Sequence, residues 1–220
     1  MAAAPRLLQR HKIDRMEFAR LNMNRDWRTI IWSDEKKWNL DGPDGQHSYW
    51  RDLRKSPQYF TKRNFGGGSV MTWAAFSYSG QLELQFTSSK INSVEYCEIL
   101  TRSLILFIRR HRHISYVFQQ DNASIHTSNT TMAWLQSKNV NVLNSWPACS
   151  PDLNPIENLW GIMVRIVYAE NHHYQTVAEL KKAILDAWTK IDTGTIQNLV
   201  NSMPNRLFQV INRSGGITDY

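Results

Sequence analysis

The sequence predicts an α/β domain, a mixed sheet flanked by helices, and three observations carry that expectation. Short β-rich runs separated by turn residues fill the first half of the chain. From residue 93 the pattern changes to helices alternating with short buried-type strands. No internal repeat, low-complexity tract or Pro/Gly/Ser-rich linker divides the 220 residues. Antiparallel strands first and β-α-β-α afterwards imply strands of both senses in one sheet, covered by helices.

Taken in order, residues 6–24 read as a basic amphipathic helix. Its apolar side is Leu7, Leu8, Ile13, Met16, Phe18 and Leu21. Residues 1–28 carry seven Arg/Lys against three acids, and are expected to form a basic helical arm before a domain spanning 29–220. Thr29-Ile30-Ile31-Trp32-Ser33 is a short β-rich run that ends on Asp34. Asp41-Gly42-Pro43-Asp44-Gly45 is turn chemistry, so residues 37–40 and 48–51 should pair as a hairpin around it. A third strand fits residues 70–77, after Gly66-Gly67-Gly68, and a fourth fits 82–86, after Ser79-Gly80. Ser93 is a suitable N-cap for a helix over 94–111. Residues 116–120 form a buried-type strand that runs directly into Asp121. A helix at 129–138, a strand at 140–143 and a strong helix at 155–169 follow. Two more helices are expected, one at 177–190 and one opened by Ser202 with Pro204 in its first turn.

Composition narrows the functional classes. Hydrophobic residues at 42% and charged residues at 20% are ordinary for a globular chain and argue against disorder. Most of the nine tryptophans should lie in the core. The longest aliphatic-aromatic run, Leu104 to Ile108, is far short of the roughly 20 residues that cross a bilayer. The first residues lack the apolar stretch of a secretory signal, so no membrane partner is expected. Two cysteines, Cys97 and Cys149, cannot make a disulfide framework or a four-thiol zinc site, and a reducing intracellular compartment fits. The net charge of +7 points to a polyanionic partner such as nucleic acid. Basic groups recur at Arg51, Arg54, Lys55, Lys62 and Arg63, and at Arg109, Arg110 and Arg112; solvated faces and loops would use them equally well.

Three acids stand where strands or a helix would deliver them to one edge of the sheet. Asp34 ends the first strand, Asp121 ends a later one, and Glu157 lies in the first turn of the helix after Pro151-Asp152-Leu153-Asn154-Pro155. Converging carboxylates repel: two unit charges 4 Å apart cost about 1 kcal/mol in water and about 4 at an effective dielectric near 20. Hard divalent cations with a preference for oxygen relieve that repulsion. Two of them can serve both the attacking and the leaving oxygen of a phosphodiester. Each acid also has a plainer explanation. Asp34 adjoins Glu35, and successive strand residues point to opposite faces, so one of the pair could be a solvated strand-end charge. Asp121-Asn122 is ordinary turn chemistry. Asn154 as N-cap, Pro155 as first helical residue and Glu157 as third make a capping arrangement, which locally is the better explanation.

The joint setting decides between them. Trp32-Ser33-Asp34-Glu35, then Gln119-Gln120-Asp121-Asn122-Ala123-Ser124-Ile125-His126, then Ser150-Pro151-Asp152-Leu153-Asn154-Pro155-Ile156-Glu157-Asn158-Leu159-Trp160, resembles the Tc/mariner superfamily of transposases, most closely its Tc-three branch. The likeness extends through Leu40 to Gly45, Tyr49 to Arg54 and Arg63 to Gly68, and covers roughly residues 12–220. It implies a ribonuclease-H-like fold with a mixed five-stranded sheet. It implies that Asp34, Asp121 and Glu157 are the catalytic and metal-binding residues, holding two divalent ions, Mg²⁺ or Mn²⁺. It implies hydrolysis at transposon ends and strand transfer into target DNA at TA dinucleotides, in the nucleus, with a homodimer plausible for paired ends. Asp152 and Glu35 belong to the motifs but are not ligands by this analogy. His126, Lys62, Arg63 and Arg51 are candidate contacts to double-stranded DNA; His126 could instead approach a metal-bound water or make a loop-stabilising hydrogen bond.

The spacing from Asp121 to Glu157 is 35 residues, one more than the Tc branch usually shows. The extra residue is expected near Asn144-Ser145-Trp146, in a loop, where insertion is cheap. Family members normally carry two helix-turn-helix modules before this domain. The chain begins about 33 residues before Asp34, so a fragment of a longer protein or a truncated copy is expected. Two rivals remain: a non-catalytic DNA-binding protein derived from a transposase, and a general ribonuclease-H-like nuclease. Gly66-Gly67-Gly68 lacks the Lys-Ser/Thr of a phosphate-binding loop. No nucleophile elbow occurs, and His111, His113, His172 and His173 lack zinc-site spacing.

Overall fold

The computed structural model describes residues 7–43 and 68–220. The expected strand at 48–51, the basic groups Arg51, Arg54, Lys55, Lys62 and Arg63, and Gly66-Gly67 lie outside the described residues.

Helix α1 (Gln9–Asn22) leads to β1 (Ile30–Asn39), and then β2 (Ser69–Ser77), β3 (Gly80–Gln81) and β4 (Gln85–Thr87) follow. Asp34 does not end its strand, because β1 runs through it for ten residues and absorbs the strand expected at 37–40. The reason is pairing. Antiparallel β2 accompanies β1 from Trp32 to Asn39, whereas β5 (Val117–Gln119) pairs with it in parallel only from Ile30 to Trp32. Beyond Trp32, β1 is released on one side. Parallel β6 (Asn141–Val142) extends the sheet from β5.

The sheet is mixed, as expected, and among the described residues it has six strands rather than five. The sixth arises because the expected strand at 82–86 is interrupted. Phe76 opposes Gln81, whereas Trp73 opposes Gln85, so the register slips by one residue between them. That is a bulge. It sends Leu82 and Leu84 to opposite faces, although residues two apart on a regular strand share one.

Alternation fills both faces. Ile30, Trp32, Ala74 and Phe76 belong to a core under α5 (Pro155–Val167), α6 (Val177–Thr189), α7 (Thr193–Asn201) and α8 (Met203–Asn212). Ile31, Trp73 and Ala75 face the other core, under α2 (Ser93–Leu100), α3 (Leu106–Arg110) and α4 (Asn129–Ser137). A π-helical turn, Thr101–Ile105, joins α2 to α3 as the single helix expected there. Its cap is Asn92, not Ser93: Asn92 Oδ1 accepts from Val94 and Glu95 N–H, and Glu95 returns a bond to Asn92. Helix α7 was not expected. Asp192 caps it by accepting from Thr195 N–H at 2.8 Å, while Gly194 in its first turn weakens the helical pattern. Among the described residues seven tryptophans are buried. Among the described residues no helix is long and apolar enough to cross a membrane.

Of the side that the apolar residues of helix α1 mark, only Phe18 is fully buried. His11, Arg15, Phe18, Ala19 and Asn22 face inward, while Leu8, Ile13 and Leu21 are exposed. Polar partners at the far end of the chain decide this. Arg15 donates to both carboxylate oxygens of Asp152 at 2.7 Å and to the carbonyls of Gly215 and Gly216. Gly215 has φ +83°, and a Cβ there would stand 2.2 Å from Lys12 O. Gly215→Ala is therefore expected to lower stability by roughly 1–3 kcal/mol, read as a reduced urea midpoint at unchanged slope.

Candidate metal centre

The three sequence-picked acids meet. Asp34 on β1, Asp121 just after β5 and Glu157 in the first turn of α5 line one cavity of about 250 Å³, together with Asn122, Trp146, Cys149 and Ser150. Each is placed by its neighbours. Ser33 Oγ donates to Gln119 O at 2.7 Å, locking β1 to β5 beside the point where Asp121 leaves the sheet. Asn154 Nδ2 donates to Ser33 O at 3.0 Å, locking the start of α5 to the residue before Asp34. Trp160 Nε1 donates to Asp34 Oδ2 at 3.0 Å. The sequence shows Trp160 only as the last residue of the motif that carries Glu157; its place one turn after Glu157 on α5 was the available signal.

Glu157 does not serve as a helix cap. The Asn154 N–H that a capping glutamate would bind already donates to Pro151 O at 3.0 Å, inside the tight turn Pro151–Leu153. Asn154 caps α5 by accepting from Ile156 N–H. The carboxylate of Glu157 is left to the cavity. The extra residue in the Asp121 to Glu157 interval was expected near Ser145, which sits in a turn after β6 with φ +60°.

The acids sit in unequal fields. Burial raises the pKa of Asp34 well above the usual carboxylate range, and the charges of Glu157 and Glu35 push it further. Burial also raises Glu157, with Lys36 opposing. Asp121 goes the other way, held down chiefly by a hydrogen bond from His126. His126 is 3% exposed. Its Nδ1 lies 2.6 Å from Asp121 Oδ1 and its Nε2 lies 3.2 Å from Glu35 Oε1. Burial works against its charge, but the two carboxylates outweigh that and push its pKa up to about 9. Alternation along β1 explains the arrangement: Asp34 faces α5 and Glu35 the opposite layer, where His126 lies. His126 is engaged at both nitrogens inside the protein, whereas Lys62, Arg63 and Arg51 lie outside the described residues.

Such a donor set, all oxygen and anionic, suits a hard divalent cation. Among the described residues no three His, Cys, Asp or Glu side chains already form a metal-binding group. The carboxylates share a cavity without yet converging on a point.

Residues 29–181 match the DDE superfamily endonuclease family. The chain belongs to that superfamily. This DDE chain is 53% identical over 217 residues to the transposase of transposable element Tc3 from Caenorhabditis elegans, an alignment that covers 99% of this chain and 66% of that protein. It therefore spans just under two thirds of that relative. Against the Tc1 transposase of the same organism it is 34% identical over 226 residues, covering 98% of this chain and 80% of the other. Among solved structures, the mariner Mos1 paired end complex with Mg superposes with a TM-score of 0.85 at 19% identity, covering 100% of this DDE chain and 66% of that one. The motifs and the comparisons thus name the same family, and the ribonuclease-H-like fold is the one expected.

Proposed function

We propose that this DDE domain is the catalytic core of a DNA transposase, which hydrolyses phosphodiester bonds at transposon ends and transfers the freed strand into target DNA. One observation carries the reading: three carboxylates from β1, the β5 exit and the start of α5 line a single cavity. Two further findings support it. The relatives are Tc transposases, and Mos1 structures are complexes with Mg, with Mn and with a transposon end.

In this reading Asp34, Asp121 and Glu157 hold two divalent ions, Mg²⁺ or Mn²⁺. Bound there, the ions supply Lewis acidity to the attacking and leaving oxygens of a phosphodiester. The chain's own residues prepare the place. Trp160 fixes Asp34, Asn154 fixes the helix that carries Glu157, and His126 fixes Asp121. Arginines and lysines, Arg51, Lys62 and Arg63 among them, neutralise phosphates in a salt-dependent and sequence-independent grip. In the first step water forms a new P–O bond as the strand's P–O bond breaks, leaving a 3′-hydroxyl. In the second, the oxygen of that hydroxyl bonds to a target phosphorus as the target's own P–O3′ bond breaks, its proton passing to the released target 3′-hydroxyl. A homodimer would hold two element ends, and a chromosomal DNA target would require the protein in the nucleus.

Purified protein is expected to nick an end-mimicking duplex only with Mn²⁺ or Mg²⁺. Asp121→Asn should lower that rate by about 10³-fold, since several kcal/mol of charge stabilisation at 1.36 kcal/mol per tenfold disappear. Full cleavage by Asp121→Asn would sink the site assignment. Cleavage without strand transfer would instead mark a general nuclease.

A further inference from the structure

The geometry points to Glu35 as a positioning residue that acts through His126 to hold the Asp121 carboxylate in place. The inference rests on the metal-site reading of Asp121 given above. Glu35 neighbours Asp34 in sequence, but strand alternation sends it to the opposite layer. There it meets His126, whose ring spans the gap between two carboxylates on different elements: Glu35 of β1 and Asp121 after β5. Both ring nitrogens face carboxylate oxygens, so both act as donors.

The ring has no freedom to do otherwise. The Tyr96 ring lies against it with centroids 4.4 Å apart. Tyr96 Oη donates to Gln120 Oε1 at 3.0 Å, and Gln120 Nε2 donates to the His126 carbonyl at 3.1 Å. Asp121 Oδ1 therefore receives two hydrogen bonds, from His126 and from Ala123 N–H at 2.9 Å. Among the described residues, Oδ2 receives none. One oxygen is anchored and the other is left for a cation. Asp121 itself is more than half exposed at its side chain, so without this anchor its rotamer would be free. Carboxylates that bind metals are commonly oriented by such outer partners, whose loss weakens metal affinity by about 10–100-fold.

The test uses Mn²⁺ alone, titrated calorimetrically into the metal-free protein, beside the Mn²⁺ dependence of duplex nicking. Glu35→Ala should raise the Mn²⁺ Kd and the half-saturating Mn²⁺ by about 10–100-fold. The rate at saturating Mn²⁺ should fall much less. Glu35→Gln, which still accepts from Nε2, should restore most of the affinity. In a His126→Asn background, Glu35→Ala should add nothing further, because the two act in series. Equal losses from Glu35→Ala with and without His126 would overturn the proposal, as would a wild-type Kd in Glu35→Ala. The metal-site reading fails separately, if Asp121→Asn binds Mn²⁺ as tightly as wild type.

Discussion

Arg15→Ala is expected to lower the unfolding free energy by about 3–5 kcal/mol, the cost of stranding a buried charge whose partner has gone. Arg15 is fully buried and uses its whole fork: two bonds to Asp152, one to Gly215 O and one to Gly216 O. Asp152 also accepts from Thr218 N–H at 2.8 Å, and its carbonyl accepts from Arg206, which reaches on to Asn158 of α5. One carboxylate thus ties α1, the C-terminal segment and the turn before Glu157 together. Charge makes the prediction sharper. Burial works to raise the Asp152 pKa, but Arg15 and Thr218 overcome it and the net shift is downward. A lowered folded pKa contributes stability above the unfolded value of about 3.9, and loses it as pH falls through the folded one. Without Arg15 the burial effect faces only Thr218. The variant should then lose the stability that Asp152 contributes to the wild type as pH rises from acid. Arg15→Met with Asp152→Leu should not recover the loss, because the Gly215 and Gly216 carbonyls and the Thr218 N–H stay unpaired. Urea unfolding between about pH 3 and pH 8 reads all of this. A loss under about 1 kcal/mol would show that the network is dispensable.

That network also marks where the sequence stops being readable. Local chemistry announced α5 through Asn154-Pro155 and α8 through Ser202 and Pro204, and both helices form there. The inward side of α1 was not readable from apolar spacing, because Arg15 is held by groups 137 to 201 positions away. The six-strand count depends on a register slip that places Leu82 and Leu84 in different cores, and nothing in Leu82-Glu83-Leu84 shows it. At the site, local rules favoured Glu157 as a cap. The structure reverses that through one bond, Asn154 N–H to Pro151 O, which a sequence pattern does not weigh. Glu35 was readable as facing away from Asp34. Its meeting with His126 required the fold.

Asp34→Asn is expected to do two opposite things: abolish nicking by about 10³-fold and stabilise the metal-free protein. The second half follows from the raised pKa of Asp34, caused first by burial and then by Glu157 and Glu35. A group whose folded pKa is raised contributes stability below the unfolded value of about 3.9 and loses it as pH rises through the folded one. At neutral pH the buried Asp34 carboxyl is therefore a cost to the metal-free domain. Asparagine removes that cost, and its amide oxygen can still accept from Trp160 Nε1. Each 1 kcal/mol relieved should raise Tm by about 2–4 °C in a domain of this size. The gain should shrink towards pH 3, where the wild-type carboxyl is protonated. Adding Mn²⁺ should invert the ranking, because only the wild type keeps the full ligand set and gains RT ln(1 + [L]/Kd), about 2.7 kcal/mol at a hundredfold excess over Kd. A metal-free Asp34→Asn variant that melts below wild type at pH 7 would falsify this account. The three acids would then be structural, and their shared cavity would owe nothing to cation binding. If the inversion is seen, burial and the mutual repulsion of Asp34, Glu157 and Glu35 cost the metal-free domain stability that cation binding returns, a trade of stability for function.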